Sequence, residues 1–144
     1  MNINKITNHF LKLYRENRPI MIWCNDENYI ILDGVQAFLL NKDEMQLNPL
    51  LFKKVNRLKE IWESALTANI KLEYKVSKNK YNSLINKYSS KDGEVTVYID
   101  NKLLRFFNIY EIELYGNGKL KPVVIKEKDK VVAITLPMRI LEEF

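Results

Sequence analysis

The sequence has 144 residues, of which 47% are hydrophobic and 28% are charged, and its formal net charge is +5. This composition argues against a disordered chain, and a single cysteine with a single histidine argues against an internal disulfide or a site of soft metal ligands. The length fits one domain, residues 1–144, and the surplus of positive charge favours polyanionic partners.

The N-terminal third predicts a helix followed by a β-meander. Ile6, Phe10 and Leu13 recur at helical spacing and Pro19 ends the pattern, so we expect a helix over about residues 3–17. The apolar runs "IMIWC" and "YIILDGVQAFLL" are separated by the turn-forming "NDEN", and the second run bends at Asp33-Gly34, which is typical of strands. The opening "MNI" is also compatible with a first strand.

The middle of the chain predicts a helix, a strand and a second helix. The segment "LNPLLFKKVNRLKEIWESAL" indicates an amphipathic helix over residues 49–66, capped by Asn48. Its apolar stripe is formed by Leu51, Val55, Leu58, Trp62 and Ala65. The alternation in "IKLEYKVS" predicts a half-buried strand, and the spacing of apolar residues in "YNSLINKY" predicts a short helix near residues 80–88.

The last third predicts one strand, a short helix and three further strands. Val95, Val97 and Ile99 alternate as a strand, and Asp100 or Asn101 can cap the short helix. Strands are then expected around "IELYG", "LKPVVIK" and "KVVAITL". The N-terminal third has a weaker version of the same order of elements, so we predict an α+β fold in which that order is duplicated.

The C-terminal stretch resembles the end of the bacterial DNA polymerase III beta subunit, the sliding clamp. The shared features are a strand leading into a short helix and a hairpin from "KPVVI" to "AITLPMRI", which closes on a Pro-Met-Arg-aliphatic signature. The segment "LDGVQAFLL" is a second, smaller similarity. The resemblance implies an α+β, DNA-clamp-like domain of duplicated β-α-β-β-β units, to which a central amphipathic helix has been added.

In clamps the helices line the inside of a ring, which implies that basic residues on the two predicted terminal helices meet DNA phosphates. These residues are Lys12, Arg15, Lys102 and Arg105. Phosphate contacts carry no sequence information and weaken with salt, as a sliding part requires. The resemblance also implies that the tail lies beside a groove for short peptides of replication or repair proteins. The tail residues concerned are Pro137, Met138, Arg139 and Ile140.

The sequence departs from the clamp pattern in three respects. The chain has room for one clamp domain, so a ring would require a homo-oligomer of about six copies. Leu32 stands where clamps have threonine, and Gln36 stands where they have arginine. The four residues "LEEF" extend past the usual ending and would cover the peptide groove.

Two alternatives remain open. The segment "QLNPLLF" resembles the peptides that dock into clamps, which would make the protein a clamp partner, although Pro49 and Leu51 also suit the start and the core stripe of the central helix. The second alternative is an unrelated α+β protein-binding module that makes no contact with DNA, for example a protein of a phage or a mobile element. In that case the basic residues on the helices would simply face solvent, as charged residues on a surface helix usually do.

Catalytic and membrane functions are not indicated. None of the common nucleophile, nucleotide-binding or metalloprotease motifs occurs, and His9 has no partner that sequence spacing can identify. We therefore expect a non-enzymatic protein without a cofactor or a metal ion. No segment approaches the roughly 20 apolar residues that span a bilayer, and no cleavable leader is recognisable, so we expect a cytoplasmic protein without a membrane partner.

Overall fold

The computed structural model describes residues 1–144 and has a mixed α+β architecture. It contains helices α1 (Ile3–Arg15) and α2 (Arg57–Ala65), and two 3₁₀ helices (Pro49–Leu51 and Asn101–Leu104). The strands are β1 (Met21–Cys24), β2 (Asn28–Leu32), β3 (Gln36–Asn41), β4 (Lys53–Lys54), β5 (Ile70–Lys80), β6 (Ser83–Ser89), β7 (Thr96–Asp100), β8 (Ile112–Gly116), β9 (Val123–Glu127) and β10 (Lys130–Thr135). They form one sheet in the order β4-β1-β2-β3-β10-β9-β8-β5-β6-β7.

Helix α1 confirms the N-terminal helix prediction within two residues at its end. The Asn2 side chain accepts a hydrogen bond from the Lys5 backbone N–H at 3.0 Å, so Asn2 is the N-cap. Ile6, Phe10 and Leu13 are buried on one side of the helix. The suggestion of a first strand at "MNI" is wrong, because Ile3 is already helical and Asn2 caps the helix.

Two three-stranded antiparallel meanders form the centre of the sheet. One consists of β1, β2 and β3, and the other consists of β8, β9 and β10. Their last strands pair antiparallel in the register Ala133↔Phe38, Ile134↔Ala37 and Thr135↔Gln36. Helix α1 precedes the first meander, and the 3₁₀ helix Asn101–Leu104 precedes the second.

The central strands bury both of their faces, because their side chains alternate between two apolar clusters. Ile31, Phe38 and Ile125 face α1 and the 3₁₀ helix Asn101–Leu104, and we call this side the α1 face. Ile30, Ala37 and Val124 face α2 on the opposite side, the α2 face. Both helical elements that precede a meander therefore lie on the same side of the sheet.

The long strand β5 turns the sheet back over the α1 face. Its first three residues pair with β8, whereas the residues from Glu73 onward pair with β6, and a bulge interrupts the ladder between Tyr74 and Val76. Bulges increase the local bend of a strand. As a result, Val97 and Ile99 of β7 join the same apolar cluster as α1.

The helix predicted over residues 49–66 is wrong in its first half. Asn48 caps only a 3₁₀ helix, Pro49–Leu51, after which Lys53 and Lys54 pair with β1 as the short strand β4. Leu51 is exposed, although the prediction assigned it to the core stripe. The second half is confirmed, since Leu58, Trp62 and Ala65 of α2 are buried on the α2 face.

The short helix predicted near residues 80–88 is wrong, because this segment is the turn and second strand of a hairpin. Tyr81 and Asn82 have φ of 52° and 59° and form the two-residue loop between β5 and β6. Two consecutive residues with positive φ match the right-handed twist of a hairpin. Ile85 and Tyr88 are both buried, but they lie on opposite faces of β6.

The remaining predictions for the last third are confirmed. Strands β7, β8, β9 and β10 cover the expected segments. The Asp100 side chain caps the 3₁₀ helix by accepting from the Lys102 N–H at 3.0 Å. That helix ends at Leu104, so Phe107 lies beyond it but still packs in the apolar cluster of the α1 face.

Phe38 is the residue on which the packing of the α1 face converges. It is fully buried, and its ring centroid lies 5.9 Å from that of Phe10, 5.0 Å from Phe106 and 6.2 Å from Phe107. It therefore connects β3 with α1 and with the segment after the 3₁₀ helix.

We expect Phe38→Ala to lower the free energy of unfolding by about 3–5 kcal/mol, because it leaves a cavity that neighbouring elements cannot fill. Tyr110→Ala is the control, since Tyr110 is 94% exposed and its removal should change stability by less than about 0.5 kcal/mol. Urea denaturation followed by circular dichroism measures both variants. Equal losses for the two would contradict the role of Phe38.

Candidate nucleic-acid interface

The predicted DNA-binding residues of α1 lie on its solvent side near its C-terminal end. Lys12 and Arg15 are exposed and lie one turn apart. Neither side chain forms a hydrogen bond or an ion pair with another residue. Helix α1 contains no acidic residue, so no carboxylate on the helix neutralises them.

Of the two predicted residues near the second helical element, Lys102 lies on the 3₁₀ helix, and Arg105, which directly follows that helix, lies beside α1. The Asn2 N–H donates to the Phe106 carbonyl oxygen at 2.7 Å, and the Lys5 ammonium donates to the Arg105 carbonyl oxygen at 3.4 Å. Lys102 is exposed and its ammonium is unpaired. The structure thus brings the four predicted residues to one side of the sheet, and it adds Lys5, which the sequence analysis missed.

Arg105 differs from the other three cations because its guanidinium is held by its surroundings. It lies 4.1 Å from the centroid of the Phe106 ring, its Nη1 donates to the Lys102 carbonyl oxygen, and its Nη2 lies 3.2 Å from Nδ1 of His9. Partial burial lowers the pKa of Arg105, and the carboxylates of Asp33 and Asp100 offset part of that change. The guanidinium remains charged at neutral pH.

His9 connects Arg105 to Asp33. A guanidinium can only donate, so Nδ1 of His9 accepts from Arg105 and the proton is on Nε2. Nε2 lies 2.7 Å from Oδ2 of Asp33, and it donates to this carboxylate. The chain Asp33–His9–Arg105 therefore joins the β2–β3 turn, helix α1 and the segment after the 3₁₀ helix. Sequence spacing did not indicate this partner for His9, because 24 residues separate it from Asp33.

Asp33 also shapes the turn that follows β2. Its Oδ1 accepts from the N–H groups of Val35 and Gln36 at 2.9 and 2.8 Å, which allows Gly34 to adopt φ of 99°. Burial by itself would raise the pKa of the Asp33 carboxyl. The hydrogen bonds from His9, Val35 and Gln36 outweigh burial and lower the pKa below its ordinary value of 3.8.

Gln36 and Thr135 are two buried polar residues at the junction of the two meanders. They are directly opposite each other on β3 and β10, and both are essentially inaccessible. Gln36 Nε2 donates to the Leu103 carbonyl oxygen at 2.9 Å, which ties β3 to the 3₁₀ helix. Gln36 Oε1 and Thr135 Oγ1 have no hydrogen-bond partner. The Gln36 side chain is therefore a buried structural link and is not available to a ligand.

The predicted peptide-groove residues lie in the tail that follows β10. Ile140 is buried against Ile85 and Tyr98, Pro137 and Met138 are half-buried, and Arg139 is exposed. The Met138 N–H donates to the Tyr98 carbonyl oxygen at 2.7 Å. The tail thus runs across β7 and packs on the side of β6 and β7 that faces away from α1.

Other kinds of site are not evident in the structure. No three His, Cys, Asp or Glu side chains are grouped as metal ligands would be. Neither helix has the length and apolar character needed to cross a membrane. Cys24 is unpaired and partly exposed at the end of β1.

Comparison with protein-family models, with curated proteins and with solved structures returned no match to this chain.

The geometry of Asp33 predicts a specific acid sensitivity. Because its pKa is lower in the folded than in the unfolded chain, its contribution to stability is present above about pH 4 and is lost as the pH falls through the folded-state value. Asp33→Asn should therefore show a smaller loss of unfolding free energy than the parent between about pH 4 and pH 2. Asp43→Asn, in an exposed turn, is the control and should follow the parent curve. Parallel curves for Asp33→Asn and the parent would contradict the assignment.

Proposed function

We propose that this protein is a non-enzymatic accessory protein of DNA replication with a clamp-like domain. It binds duplex DNA through the cations that α1 and the 3₁₀ helix Asn101–Leu104 present on one side of the sheet. The observation that carries the proposal is that both helical elements pack on the α1 face, that hydrogen bonds join α1 to Arg105 and Phe106 directly after the 3₁₀ helix, and that α1 contains no acidic residue. We call Lys5, Lys12, Arg15, Lys102 and Arg105 the basic surface.

The relation of the two meanders supports the clamp-like duplication. Each follows a helical element on the α1 face, and their last strands pair antiparallel, as two units related by a two-fold axis would. The second unit also has a leading strand, β7, whereas the first unit has none. The duplication proposed is therefore of the order helix-strand-strand-strand, with β4, α2, β5 and β6 inserted between the units.

The dimensions and charge of the basic surface suit a DNA backbone. Lys5 and Arg15 are ten residues apart on α1, which corresponds to about 15 Å along the helix axis. The phosphates on one strand of a duplex are a few ångströms apart, so a helix of this length spans several of them. Lysine and arginine contacts to phosphates supply affinity without sequence readout. Such contacts suit a protein that holds DNA without stopping at one sequence.

A second candidate function is the binding of a replication or repair protein through a peptide at the C-terminal edge, around Pro137, Met138, Arg139 and Ile140. The observation that favours it is that this tail packs on the outside of β6 and β7, away from the basic surface. DNA and a protein partner would then bind different sides of the molecule. An unrelated protein-binding module without DNA contact is the alternative that the DNA experiment below excludes or supports.

We expect Lys12→Gln/Arg15→Gln to weaken binding to a random-sequence duplex at least fivefold in 50 mM salt. Loss of two phosphate contacts should also reduce the slope of log affinity against log salt by about two. Arg57→Gln/Lys59→Gln removes the same charges from α2 on the opposite side and is the matched control. Fluorescence anisotropy at increasing salt measures all three proteins. Equal losses in the two double variants, or no binding by the parent at low salt, would contradict the proposal.

The clamp-like domain also predicts a closed homo-oligomer. If the chain encircles DNA, sedimentation velocity should show one discrete species of about six copies, since a ring of single domains requires cyclic symmetry. The measurement is made over a hundredfold range of protein concentration, with and without duplex. A monomer or dimer at every concentration would contradict encirclement and leave DNA binding to be judged by the salt titration.

A further inference from the structure

The last four residues, Leu141–Phe144, occupy a site built from β5, β6 and β7. Lys78 and Lys80 are two apart on β5, so their side chains lie on one face of the strand. Lys87 on β6 and Tyr98 on β7 lie on the same side of the sheet. All four side chains contact Phe144. We call these four residues the tail site.

The tail site holds the aromatic ring of Phe144 between cations and a second ring. The ammonium groups of Lys78 and Lys80 lie 5.2 and 5.6 Å from the Phe144 centroid, within the range of a cation–π interaction. The Tyr98 ring meets Phe144 edge to face, with centroids 5.0 Å apart. This arrangement favours an aromatic side chain over an aliphatic one of similar size, because only an aromatic face attracts the two ammonium groups.

The tail site also binds the backbone of the same segment. The Tyr98 hydroxyl donates to the Phe144 main-chain oxygen at 2.9 Å, and the Lys87 ammonium donates to the same oxygen. The Phe144 N–H lies 3.2 Å from the Tyr98 hydroxyl oxygen, and the Lys80 ammonium donates to the Glu142 carbonyl oxygen at 2.7 Å. Backbone contacts of this kind fix the direction of a peptide and do not require a particular side chain.

Charge complementarity favours acidic residues in the segment that occupies the tail site. The Glu142 carboxylate lies 3.9 Å from the Lys80 ammonium, and Glu143 pairs with Lys119. No carboxylate of the strands pairs with Lys78, Lys80 or Lys87, so the tail carries the negative charge nearest to them. Without an occupant, three ammonium groups would lie close together with no counter-charge.

We propose that the tail site is a peptide-recognition site that the chain's own segment occupies, and that it accepts from a partner protein a segment of acidic residues followed by an aromatic residue. The inference rests on the peptide-binding part of the proposed function, and it is independent of DNA binding by the basic surface. In this proposal the lysines and the tyrosine of the strands recognise the peptide, and the tail residues 137–140 do not.

The surface next to the tail site has room for a longer partner segment. Leu141 is 82% exposed and Tyr81 is 55% exposed, and a depression of about 430 Å³ lies between them, bordered by Lys80 and Glu142. The chain's own Leu141 thus fills little of this depression. An apolar residue of a partner segment could occupy it and gain contact with Tyr81. A nucleic acid fits the site less well, because the three contacts to the Phe144 ring and the four backbone hydrogen bonds recognise a peptide.

Residues 141–144 compete with a partner segment for the tail site because they are covalently attached to the protein. Covalent attachment gives the tail a high effective concentration at the site, of the order of millimolar or above, so a free partner segment must exceed this concentration or bind more tightly to displace it. Removal of residues 141–144 should therefore raise the apparent affinity for a peptide added in solution. The probe is a fluorescein-labelled, amidated peptide of the sequence Arg-Ile-Leu-Glu-Glu-Phe, and binding is measured by anisotropy.

We expect the chain without residues 141–144 to bind this probe at least tenfold more tightly than the full chain. A probe with phenylalanine replaced by leucine should bind at least threefold more weakly. Lys87→Gln in the shortened chain should weaken probe binding at least fivefold, whereas Lys75→Gln, which removes a β5 lysine that pairs with Glu73 and makes no contact with Phe144, should not. Phe144→Ala in the full chain should also bind the probe more tightly than the parent, which covers the case in which the shortened chain fails to fold.

Several outcomes would overturn the proposal. It fails if neither the folded shortened chain nor Phe144→Ala binds the probe more tightly than the parent, or if binding does not depend on the phenylalanine. It also fails if the shortened chain gains affinity only for duplex DNA, because the lysines would then be a general anion surface. Lys12→Gln/Arg15→Gln should leave probe binding unchanged, so failure of the DNA proposal is distinguished from failure of this one.

Discussion

The antiparallel pairing of β3 with β10 is the constraint on which the rest of the structure depends. It is the junction between the two meanders, and its register decides which residues face α1. A shift by one residue would turn the side chains of one of the two strands to the opposite face of the sheet. In the observed register Phe38 lies opposite Ala133, and the small alanine side chain leaves space for the ring that packs against Phe10, Phe106 and Phe107.

In this register the two faces of the sheet are covered by different helical elements. Helix α2 covers Ile30, Ala37 and Val124 with Leu58 and Trp62, so the α2 face is closed by apolar packing. On the α1 face, the buried side of α1 and the 3₁₀ helix completes the core, and their outer side carries the basic surface. Helix α2 therefore does not cover the cations, because it lies on the opposite side of the sheet.

Sequence reasoning succeeded where local pattern and tertiary environment agree. The alternation in strands and the stripe Ile6, Phe10 and Leu13 in α1 were sufficient, because each side chain's environment follows the period of its own element. It failed at residues 80–88, where Tyr81 and Asn82 adopt positive φ without a glycine to signal the turn. It also failed at residues 49–56, where pairing of Lys53 and Lys54 with β1 overrides their helical pattern.

For the candidate site, the sequence predicted which cations lie on the two helical elements but not how they are held. The contact between His9 and Asp33 joins residues 24 apart, and that between His9 and Arg105 joins residues 96 apart. No periodicity within one element can indicate such pairs. The tail site was missed for the same reason, since Lys78, Lys87 and Phe144 come from three segments that only the hairpin and the returning tail bring together.

The polar ties on the α1 face explain how two short helical elements can act as one surface. Asp33 holds His9, and His9 accepts from Arg105, so the turn after β2 orients a residue of each helical element. Gln36 adds a second tie, from β3 to the Leu103 carbonyl oxygen. Arg105 is thereby fixed, whereas Lys12, Arg15 and Lys102 retain their rotamer freedom. In the DNA complex proposed above, the one oriented guanidinium would keep a constant approach to the backbone, and the cations without hydrogen bonds would exchange one phosphate for the next at little entropic cost.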